Sequence, residues 1–308
     1  MSPADARQAL RQAFGRRLRE GIPLAPYTSA RIGGPADYLV AARSAHELGD
    51  ACRTLWGLGL EFRVLGGGSN VLVSDAGVRG TIVLNQAKEV TFEESAAGSH
   101  VTSESGASFG LLARRAVERG LAGIEWAATI PGTVGGAIVG NAGAFGGDVS
   151  QALNLADILQ RPDRQEAWPV ERLGYAYRSS WLKSHPGEAV VLAGTFALRQ
   201  EDRESLRRRM SEITGQRQRT QPPGASWGSM FKNPPGDHAG RLLEAAGMKG
   251  RRQGAAEVSN LHANFFINLG GAAAADVWTL IETAREAVHR TTGVELELEI
   301  ERLGEWTA

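Results

Sequence analysis

The clearest pattern near the start of the chain is helical. Apolar residues recur there at every fourth position among charged side chains, namely Ala6, Leu10, Phe14 and Leu18. This spacing predicts an amphipathic helix within residues 1–25. A second helix is predicted over residues 44–56, because Ser44 and Glu47 form a capping-box pattern at its start and Gly57 is placed to end it in the left-handed conformation.

The rest of the chain alternates between short strands and helices. Runs of apolar and β-branched residues predict strands at 37–41, 61–65, 71–73, 81–84, 189–192 and 195–198. A hairpin is predicted over 89–104, with its turn at Ala97 and Gly98. Helices are predicted at 109–119, 201–219, 236–246 and 276–290. Residues 294–302 (VELELEIER) alternate strictly between apolar side chains and glutamates, which predicts a closing strand.

The composition argues against several classes of protein. The 308 residues include 34 basic and 34 acidic side chains, and this balance does not favour a nucleic-acid or membrane partner. Cys52 is the single cysteine, which excludes an internal disulfide and a cysteine-cluster metal site, and no histidine or carboxylate spacing suggests a metal. The N-terminal residues contain no apolar run, so we expect no signal peptide and a cytoplasmic protein.

Glycine is the exception to this ordinary composition, because the 39 glycines are clustered. The first cluster, Gly66 to Asn70 (GGGSN), follows one predicted strand and precedes another. The dinucleotide-binding fingerprint requires a helix after its glycines, so that interpretation is disfavoured. Two interpretations stay open. The cluster is either a nest of backbone N–H groups that binds an anion or a tight turn without a ligand.

The second glycine cluster spans residues 123–147 (GIEWAATIPGTVGGAIVGNAGAFGG). We expect a structureless loop here, and a loop of this length inside a compact domain is normally functional. Its apolar residues favour burial of the backbone against a flat ring, while its N–H groups reach a pyrophosphate. Two such clusters together favour a large phosphate-bearing cofactor.

Three segments carry a resemblance to a known family. Residues 28–37 (TSARIGGPAD), 65–73 (LGGGSNVLV) and 130–147 (IPGTVGGAIVGNAGAFGG) resemble the FAD-binding half of the UDP-N-acetylenolpyruvoylglucosamine reductase (MurB) family. The resemblance implies an α+β fold, with a two-subdomain vanillyl-alcohol-oxidase (PCMH) type FAD-binding domain and a C-terminal α+β substrate-binding domain. We expect the N-terminal helix in 1–25, the FAD-binding domain in 26–200 (subdomains about 26–85 and 86–200) and the substrate domain in 201–308.

The resemblance also implies the cofactors. FAD is expected to bind non-covalently, with NADPH as the co-substrate that reduces it before the flavin reduces the enolpyruvyl group of a UDP-sugar. The residues expected to bind the cofactor are Arg31, Gly66, Gly67, Gly68, Ser69, Asn70, Pro131, Gly132, Gly135, Gly136, Asn141 and Gly143.

Further segments extend the resemblance towards the C terminus, at 175–183 (YAYRSSWLK), 226–234 (SWGSMFKNP) and 294–302. The arginine of the family's Tyr-Arg-x-Ser element matches Arg178, which is expected to hold the substrate carboxylate. The family's Gly-Ser-x-Phe serine matches Ser229, the expected proton donor. Its glutamate matches Glu299, an expected partner in stabilising and protonating the enolate, although this chain has Glu301 where the family usually has arginine. These residues come from both expected domains, which predicts a site between them.

Five more residues are expected to bind substrate, namely Tyr177, Lys232, Asn233, His262 and Asn264. The expected substrate is a small molecule, a UDP-amino-sugar, and the product is UDP-N-acetylmuramate for peptidoglycan synthesis. The chain is short and has only four tyrosines, which fits the shorter, type II branch of the family. We expect a monomer.

Other functions compete with this interpretation. A serine hydrolase is disfavoured, because Ser229 is not in a Gly-x-Ser-x-Gly elbow. An oxidase on the same flavin fold stays open, although an oxidase needs no proton donor for an enolate. A flavin- or nucleotide-binding regulator without turnover also stays open. The arginine-rich helix at 201–219 is either a solvated face or a patch that faces phosphate.

Overall fold

The computed structural model describes residues 2–95 and 98–306, and within them the chain forms two compact units. The first unit contains the residues up to Glu20, Tyr38–Gly67 and Gly80–Gly215. The second unit contains Gly21–Asp37, Gly68–Arg79 and the residues from Gln216 onward. The glycine cluster at 66–70 therefore contributes residues to both units. This grouping differs from the expected domains in three places, because residues 21–37 and 68–79 belong to the second unit and residues 201–215 belong to the first. The domain bounds stay predictions.

Helices occur in both units. In chain order, the α-helices of the described residues are α1 (Pro3–Phe14), α2 (Ala45–Gly57), α3 (Phe109–Val117), α4 (Val134–Gly140), α5 (Val149–Ala152), α6 (Trp181–Ser184), α7 (Arg203–Thr220), α8 (Ala239–Ala245) and α9 (Ala274–Thr292). The helices predicted at 44–56, 109–119, 201–219, 236–246 and 276–290 are confirmed, with small differences at their ends.

The strands of the described residues are β1 (Leu18–Pro23), β2 (Pro35–Ala42), β3 (Phe62–Leu65), β4 (Val71–Val73), β5 (Val78–Asn85), β6 (Val90–Ser95), β7 (Gly98–Glu104), β8 (Leu121–Ala122), β9 (Gly143–Ala144), β10 (Gly147–Asp148), β11 (Leu153–Gln160), β12 (Arg164–Pro169), β13 (Ala189–Gln200), β14 (Ala225–Ser229), β15 (Arg252–Gln253), β16 (Ala256–Val258), β17 (Phe265–Asn268) and β18 (Glu301–Leu303). The two strands predicted at 189–192 and 195–198 form the single strand β13. The strands of the predicted hairpin are confirmed as β6 and β7, while its turn residue Ala97 lies outside the described residues.

The strands assemble into several sheets. Most of a sheet of order β1-β2-β5-β3 belongs to the first unit, which also contains a larger sheet of order β12-β11-β13-β7-β6, with β8 also beside β13. The second unit contains a sheet of order β14-β17-β16-β15 and the parallel pair β4–β18. The combination of helices with mainly antiparallel strand pairs is the expected α+β class.

Each unit has its own apolar core. In the first unit, α3 and α4 bury Phe109, Val134 and Ile138 against strands that include Phe196. In the second unit, the core combines strand residues with side chains of α8 and α9, including Trp227, Phe231, Phe266, Leu242 and Val277.

The N-terminal helix is shorter than its spacing predicts. Helix α1 ends at Phe14, and Leu18 begins strand β1. The reason is Gly15, whose φ of 52° breaks the helical backbone before the fourth apolar residue is reached.

The capping of α2 agrees with its prediction in part. Ser44 Oγ accepts the N–H of Glu47, as expected for the N-cap. The Glu47 carboxylate, however, accepts from the N–H of Arg43, so the capping box is not closed. Gly57 lies within the helix, and Gly59, with φ of 66°, is the left-handed residue that follows.

The expected structureless loop at 123–147 is wrong, because the segment contains α4, the pair β9–β10 and a short 3₁₀ helix. Its glycine content disfavours helix in isolation. Tertiary packing overrides that preference, since Val134, Ala137 and Ile138 are buried.

The predicted closing strand is wrong over most of its length, because β18 comprises Glu301–Leu303 alone. The alternation does report burial, since Leu296 and Ile300 are buried. Leu298 forms an isolated antiparallel bridge with Phe231 instead of joining a long ladder. The alternation therefore predicted which side chains of residues 294–302 are buried, but not which segment they pair with.

Candidate active site

The first-unit part of the glycine cluster lies against the second glycine-rich segment. A Cβ atom on Gly66 would lie 2.5 Å from Thr133 Oγ1, and one on Gly67 would lie 3.2 Å from Gly132 Cα. Glycine is therefore favoured at both positions. Within residues 2–95 and 98–306, the N–H groups of Gly66 and Gly67 donate to no protein acceptor. These two donors are available to an anion, as in a backbone nest.

Helix α4 presents an open backbone surface. Thr133 Oγ1 accepts the N–H of Gly136 at 3.3 Å, and the N–H groups of Val134 and Gly135 donate to carbonyls within residues 105–107. The protein itself thus satisfies these donors of the first turn. Gly136 is exposed, and a Cβ there would meet within 4 Å only Thr133 Oγ1, at 3.6 Å. A flat group can therefore approach this turn closely.

Arg178 lies in a tight turn that Ala176 and Ser179 close through reciprocal backbone hydrogen bonds of 3.2 and 3.1 Å. Its φ of 55° is in the left-handed region, which non-glycine residues rarely adopt away from functional or strained sites. One guanidinium nitrogen donates to Gly143 O at 2.8 Å, and the ring of Tyr177 lies 5.2 Å from the guanidinium carbon. Tyr177 itself is exposed.

Three side chains fasten this turn to the C-terminal end of α4. The hydroxyls of Tyr175 and Ser180 donate to helix carbonyls at 2.8 and 2.6 Å. Asn141, which is buried, donates from Nδ2 to Ala176 O at 3.2 Å and accepts the N–H of Ser150 at 3.1 Å. Burial, with a smaller contribution from the charge of Asp148, raises the pKa of Tyr175, so its hydroxyl remains a donor. Asn141, expected to bind cofactor, is thus occupied with the Arg178 turn.

In the second unit, Ser229 follows a bulge in β14. The register of β14 against β17 shifts between Ser226 and Ser229, and Gly228 has a φ of 77°. After the shift, Ser229 pairs with Phe265. Bulges are common beside active sites because they turn a side chain away from the regular alternation.

Glu299 is bound to the segment that follows Ser229. Its N–H donates to Met230 O at 2.9 Å. Asn70 holds the same segment from another direction, because its Nδ2 donates to Glu299 O at 3.1 Å and its carbonyl accepts the N–H of Glu301 at 2.8 Å. Glu299 is half-buried, which distinguishes it from the exposed glutamates Glu295, Glu297 and Glu301.

Lys232 and Asn233 have partners within the second unit. Lys232 Nζ lies 3.1 Å from Glu297 Oε2. Asn233 Oδ1 accepts the N–H of Ala239 at 3.0 Å, at the start of α8. Asn233 thereby orients α8 relative to the Ser229 segment.

Asn264 and His262 lie on the turn that enters β17. Asn264 is buried, and its amide both accepts the N–H of Phe231 at 2.9 Å and donates to Phe231 O at 2.8 Å. His262 Nδ1 accepts the N–H of Asn264 at 3.2 Å. Burial, followed by the charge of Lys249, lowers the pKa of His262.

The other expected cofactor residues have varied surroundings. Arg31 is exposed, and its φ of 56° is left-handed. Gly68 is buried, and its carbonyl accepts the N–H of Ser29 at 3.1 Å. Ser69 is half-buried and Pro131 is exposed. Among the described residues there is no cluster of three or more histidine, cysteine or carboxylate side chains that would hold a metal ion. None of the described helices has the length and apolar character needed to cross a membrane.

Residues 36–159 match a family model described as an FAD binding domain. Together with the glycine surfaces of the first unit, this match defines the chain as a flavin-dependent oxidoreductase with a vanillyl-alcohol-oxidase (PCMH) type FAD-binding domain. Residues 218–303 match the model of the UDP-N-acetylenolpyruvoylglucosamine reductase C-terminal domain. The chain belongs to the UDP-N-acetylenolpyruvoylglucosamine reductase family.

Relatives of this family cover nearly the whole chain. The reductase of Rubrobacter xylanophilus is 46% identical over 283 residues, which are 92% of this chain and 94% of that protein. The reductase of Carboxydothermus hydrogenoformans is 39% identical over an alignment of 308 positions, which covers 99% of this chain and 100% of that protein. The crystal structure of the Thermus caldophilus reductase superposes with a TM-score of 0.79 at 35% identity, covering 93% of this chain and 99% of that one.

The residues present fit FAD. A dinucleotide cofactor brings phosphates and a flat ring, and the first unit offers unpaired N–H groups at Gly66 and Gly67 and an open glycine backbone at Gly136. The structure also adds residues that sequence reasoning did not single out as supports, namely Thr133, Tyr175 and Gly228. Thr133 had a readable signal, because a threonine before an apolar run is a typical N-cap. The hydrogen bond of Tyr175 joins residues 37 positions apart, and the bulge at Gly228 is defined by the pairing of β14 with β17, so neither had such a signal.

Proposed function

We propose that Arg178, Ser229 and Glu299 are the catalytic residues of this enzyme. The chain is an NADPH-dependent, FAD-containing reductase that converts UDP-N-acetylglucosamine enolpyruvate into UDP-N-acetylmuramate in peptidoglycan precursor synthesis. The observation that carries the proposal is the hydrogen bond from Glu299 N–H to Met230 O, because it brings the Glu299 segment beside the strand that ends at Ser229.

FAD, when bound, takes two electrons from NADPH and supplies them to the substrate. The residues we assign to holding it are the glycines with open backbone, led by Gly66, Gly67 and Gly136. The remaining expected cofactor residues stay in this proposal, except that Asn141 supports the Arg178 turn, and Asn70 supports the Glu299 segment, through their side-chain amides.

Arg178 is proposed to bind the carboxylate of the enolpyruvyl group. Reduction at the terminal carbon leaves negative charge on the carbon beside this carboxylate, delocalised as an enolate. A guanidinium pairs bidentately with a carboxylate and is favoured more as that charge grows. The hydrogen bond to Gly143 O orients the guanidinium before substrate arrives.

Ser229 is proposed to give the Oγ proton to the carbon beside the carboxylate. A hydroxyl is a weak acid, but the enolate is a strong base, so transfer is feasible within hydrogen-bond reach. Glu299 is proposed to assist in stabilising and protonating the same species. Tyr177, Lys232 and His262 are proposed to contact the UDP-sugar, and Asn233 to do so while it caps α8. The protein is further proposed to be a cytoplasmic monomer.

The test follows the flavin spectrum of the purified protein through anaerobic addition of NADPH and then of UDP-N-acetylglucosamine enolpyruvate. We expect bleaching by NADPH and recovery with the sugar. In the Ser229→Ala variant, bleaching should be retained and recovery should slow by about 10²–10⁴-fold, the usual contribution of a general acid. Ser226→Ala, on the same strand, is the matched control and should recover normally.

Each alternative has its own result. Recovery only with oxygen would favour an oxidase. Binding of NADPH without consumption when the sugar is added would favour a regulator. A protein that cannot be reconstituted with FAD would contradict the cofactor assignment. Equal recovery in Ser229→Ala and the parent would remove Ser229 as the proton donor while leaving the reductase activity intact.

A further inference from the structure

We propose that Asn264 is a positioning residue for proton transfer. Its buried amide fixes the backbone of Phe231 and thereby determines where Ser229 and Glu299 lie. The inference rests on the proposed roles of those two residues. It assigns Asn264 to the support of the site, where the sequence suggested direct contact with substrate.

The backbone of Phe231 is hydrogen-bonded on two sides. On one side, its neighbours pair with the C-terminal segment, since Lys232 N–H donates to Glu297 O and Glu299 N–H donates to Met230 O, both at 2.9 Å. In this antiparallel arrangement, the N–H and C=O of Phe231 itself point the other way.

Asn264 takes the place of a strand on that second side. Its Oδ1 accepts the N–H of Phe231 at 2.9 Å, and its Nδ2 donates to Phe231 O at 2.8 Å. Its own backbone carbonyl accepts the N–H of Met230 at 2.8 Å. One residue therefore provides three consecutive hydrogen bonds to the segment between Ser229 and Lys232.

The position of these bonds makes them hard to replace. Phe231 and Met230 are fully buried, and Asn264 is 3% exposed. Water has little access to a donor or acceptor released there, and an unpaired buried backbone group is costly. The same burial, with both amide ends occupied, argues against a direct contact between the Asn264 side chain and substrate.

Ser229 and Glu299 both depend on this segment. Ser229 is two residues from Phe231 and pairs with Phe265, the residue after Asn264. Glu299 is bound through Met230 O. A shift of the Phe231 backbone would move the proton donor and its proposed partner together. Misplacement of reacting groups by about 1 Å can cost about 100-fold in rate.

The experiment measures the two half-reactions of the FAD-containing enzyme separately by anaerobic stopped flow. In Asn264→Ala, we expect flavin reduction by NADPH within about twofold of the parent, because it uses neither Ser229 nor Glu299, and flavin reoxidation by UDP-N-acetylglucosamine enolpyruvate about 100-fold slower. Val258→Ala is the matched control. Its side chain is fully buried in strand β16 of the same sheet, and its backbone pairs with Phe266. It should lower stability while leaving both half-reactions unchanged.

A second variant, Asn264→Asp, should recover activity at low pH, which a loss of stability alone does not predict. In Asn264→Asp, an ionised carboxylate repels Phe231 O, whereas the protonated carboxyl accepts from Phe231 N–H and donates to Phe231 O, as the amide does. Burial favours the protonated form. The reoxidation rate of this variant relative to the parent should therefore rise as pH falls. Lys232, Glu297, Glu299 and His262 are the titratable groups on the neighbouring segments, and division by the parent rate removes the pH dependence that they give to the parent reaction.

Different outcomes test the proposed function and the role of Asn264. A parent enzyme whose reduced flavin is not reoxidised by the UDP-sugar would contradict the proposed function itself. If the parent turns over and Asn264→Ala slows both half-reactions equally, or neither, Asn264 is not a positioning residue. If Asn264→Ala does not retain FAD, the pH ratio of Asn264→Asp decides, and a flat ratio overturns the inference.

Discussion

The turn that carries Arg178 and the strand that carries Ser229 both contain a backbone held by a buried asparagine, but their surroundings differ. The Arg178 turn is fastened to α4 by Tyr175 and Ser180 as well as by Asn141, and it includes the exposed residues Ala176 and Tyr177. The Ser229 strand leads into two fully buried residues and is held on both sides by backbone or amide hydrogen bonds.

This difference in surroundings predicts how each region responds to substitution. Several side chains share the support of the Arg178 turn, so the loss of one leaves the others in place. The Ser229 strand depends on buried packing and on one amide, so single substitutions there should have larger effects. An arginine that binds a carboxylate tolerates small displacements better than a proton donor, which must reach a single carbon atom.

The largest effect on stability is expected for Phe231→Ala. Its ring is fully buried in the second core, 6.1 Å from the ring of Phe266, and its removal leaves a cavity. Truncation of a buried phenylalanine typically costs about 3–5 kcal/mol. Urea unfolding measures the free energy of unfolding, and Tyr177→Ala in the exposed Arg178 turn is the control, with an expected loss below about 1 kcal/mol. Similar losses in both variants would contradict the comparison.

An intermediate effect is expected for Asn141→Ala. It leaves Ala176 O and Ser150 N–H without their amide partner, which typically costs about 1–3 kcal/mol. Alanine is also strained at the φ of 44° found here. Asn141→Gly is the matched control, because it loses the same hydrogen bonds without that strain. The difference between the free energies of unfolding of the two variants, measured with urea, gives the cost of the backbone strain. If both variants are as stable as the parent, the hydrogen bonds of Tyr175 and Ser180 are sufficient to hold the Arg178 turn.

The sequence predicted most elements but not the partners that hold the site. Helix α2 was readable from the Ser44 cap, and the buried face of 294–300 was readable from alternation. The cofactor and catalytic assignments came from motifs, whose residues lie close together in sequence. The contacts of Asn70, Asn141 and Asn264 were not readable, because they join residues 229, 35 and 33 positions apart.

These asparagines show why motif reasoning gave them a different role. A small amide suits a ligand site, and it equally suits a backbone that lacks a strand partner. Only the fold distinguishes the two. Helix α4 was missed for a related reason, since its glycines oppose helix formation and its stabilisation comes from distant core residues.

The smallest effect concerns the pH dependence of the Ser229 region. His262 Nδ1 accepts the N–H of Asn264, so protonation at this nitrogen would oppose two N–H groups. Burial first, and the charge of Lys249 second, lower the pKa of His262 below its ordinary value of 6.5. In the window below that value the unfolded chain binds the proton more readily than the folded chain, so stability falls as pH falls.

The measurement is the free energy of unfolding by urea from about pH 7 to about pH 5, either side of the ordinary histidine pKa of about 6.5. The parent should lose more stability over this range than His262→Gln, which cannot be protonated. His46→Gln is the matched control, because His46 lies on the exposed surface of α2 beside Asp50 and does not support the Ser229 strand. If the free energy of unfolding of the parent and of His262→Gln changes in parallel with pH, protonation of His262 does not destabilise the fold. The hydrogen bonds that Asn264 makes would then not depend on pH over this range.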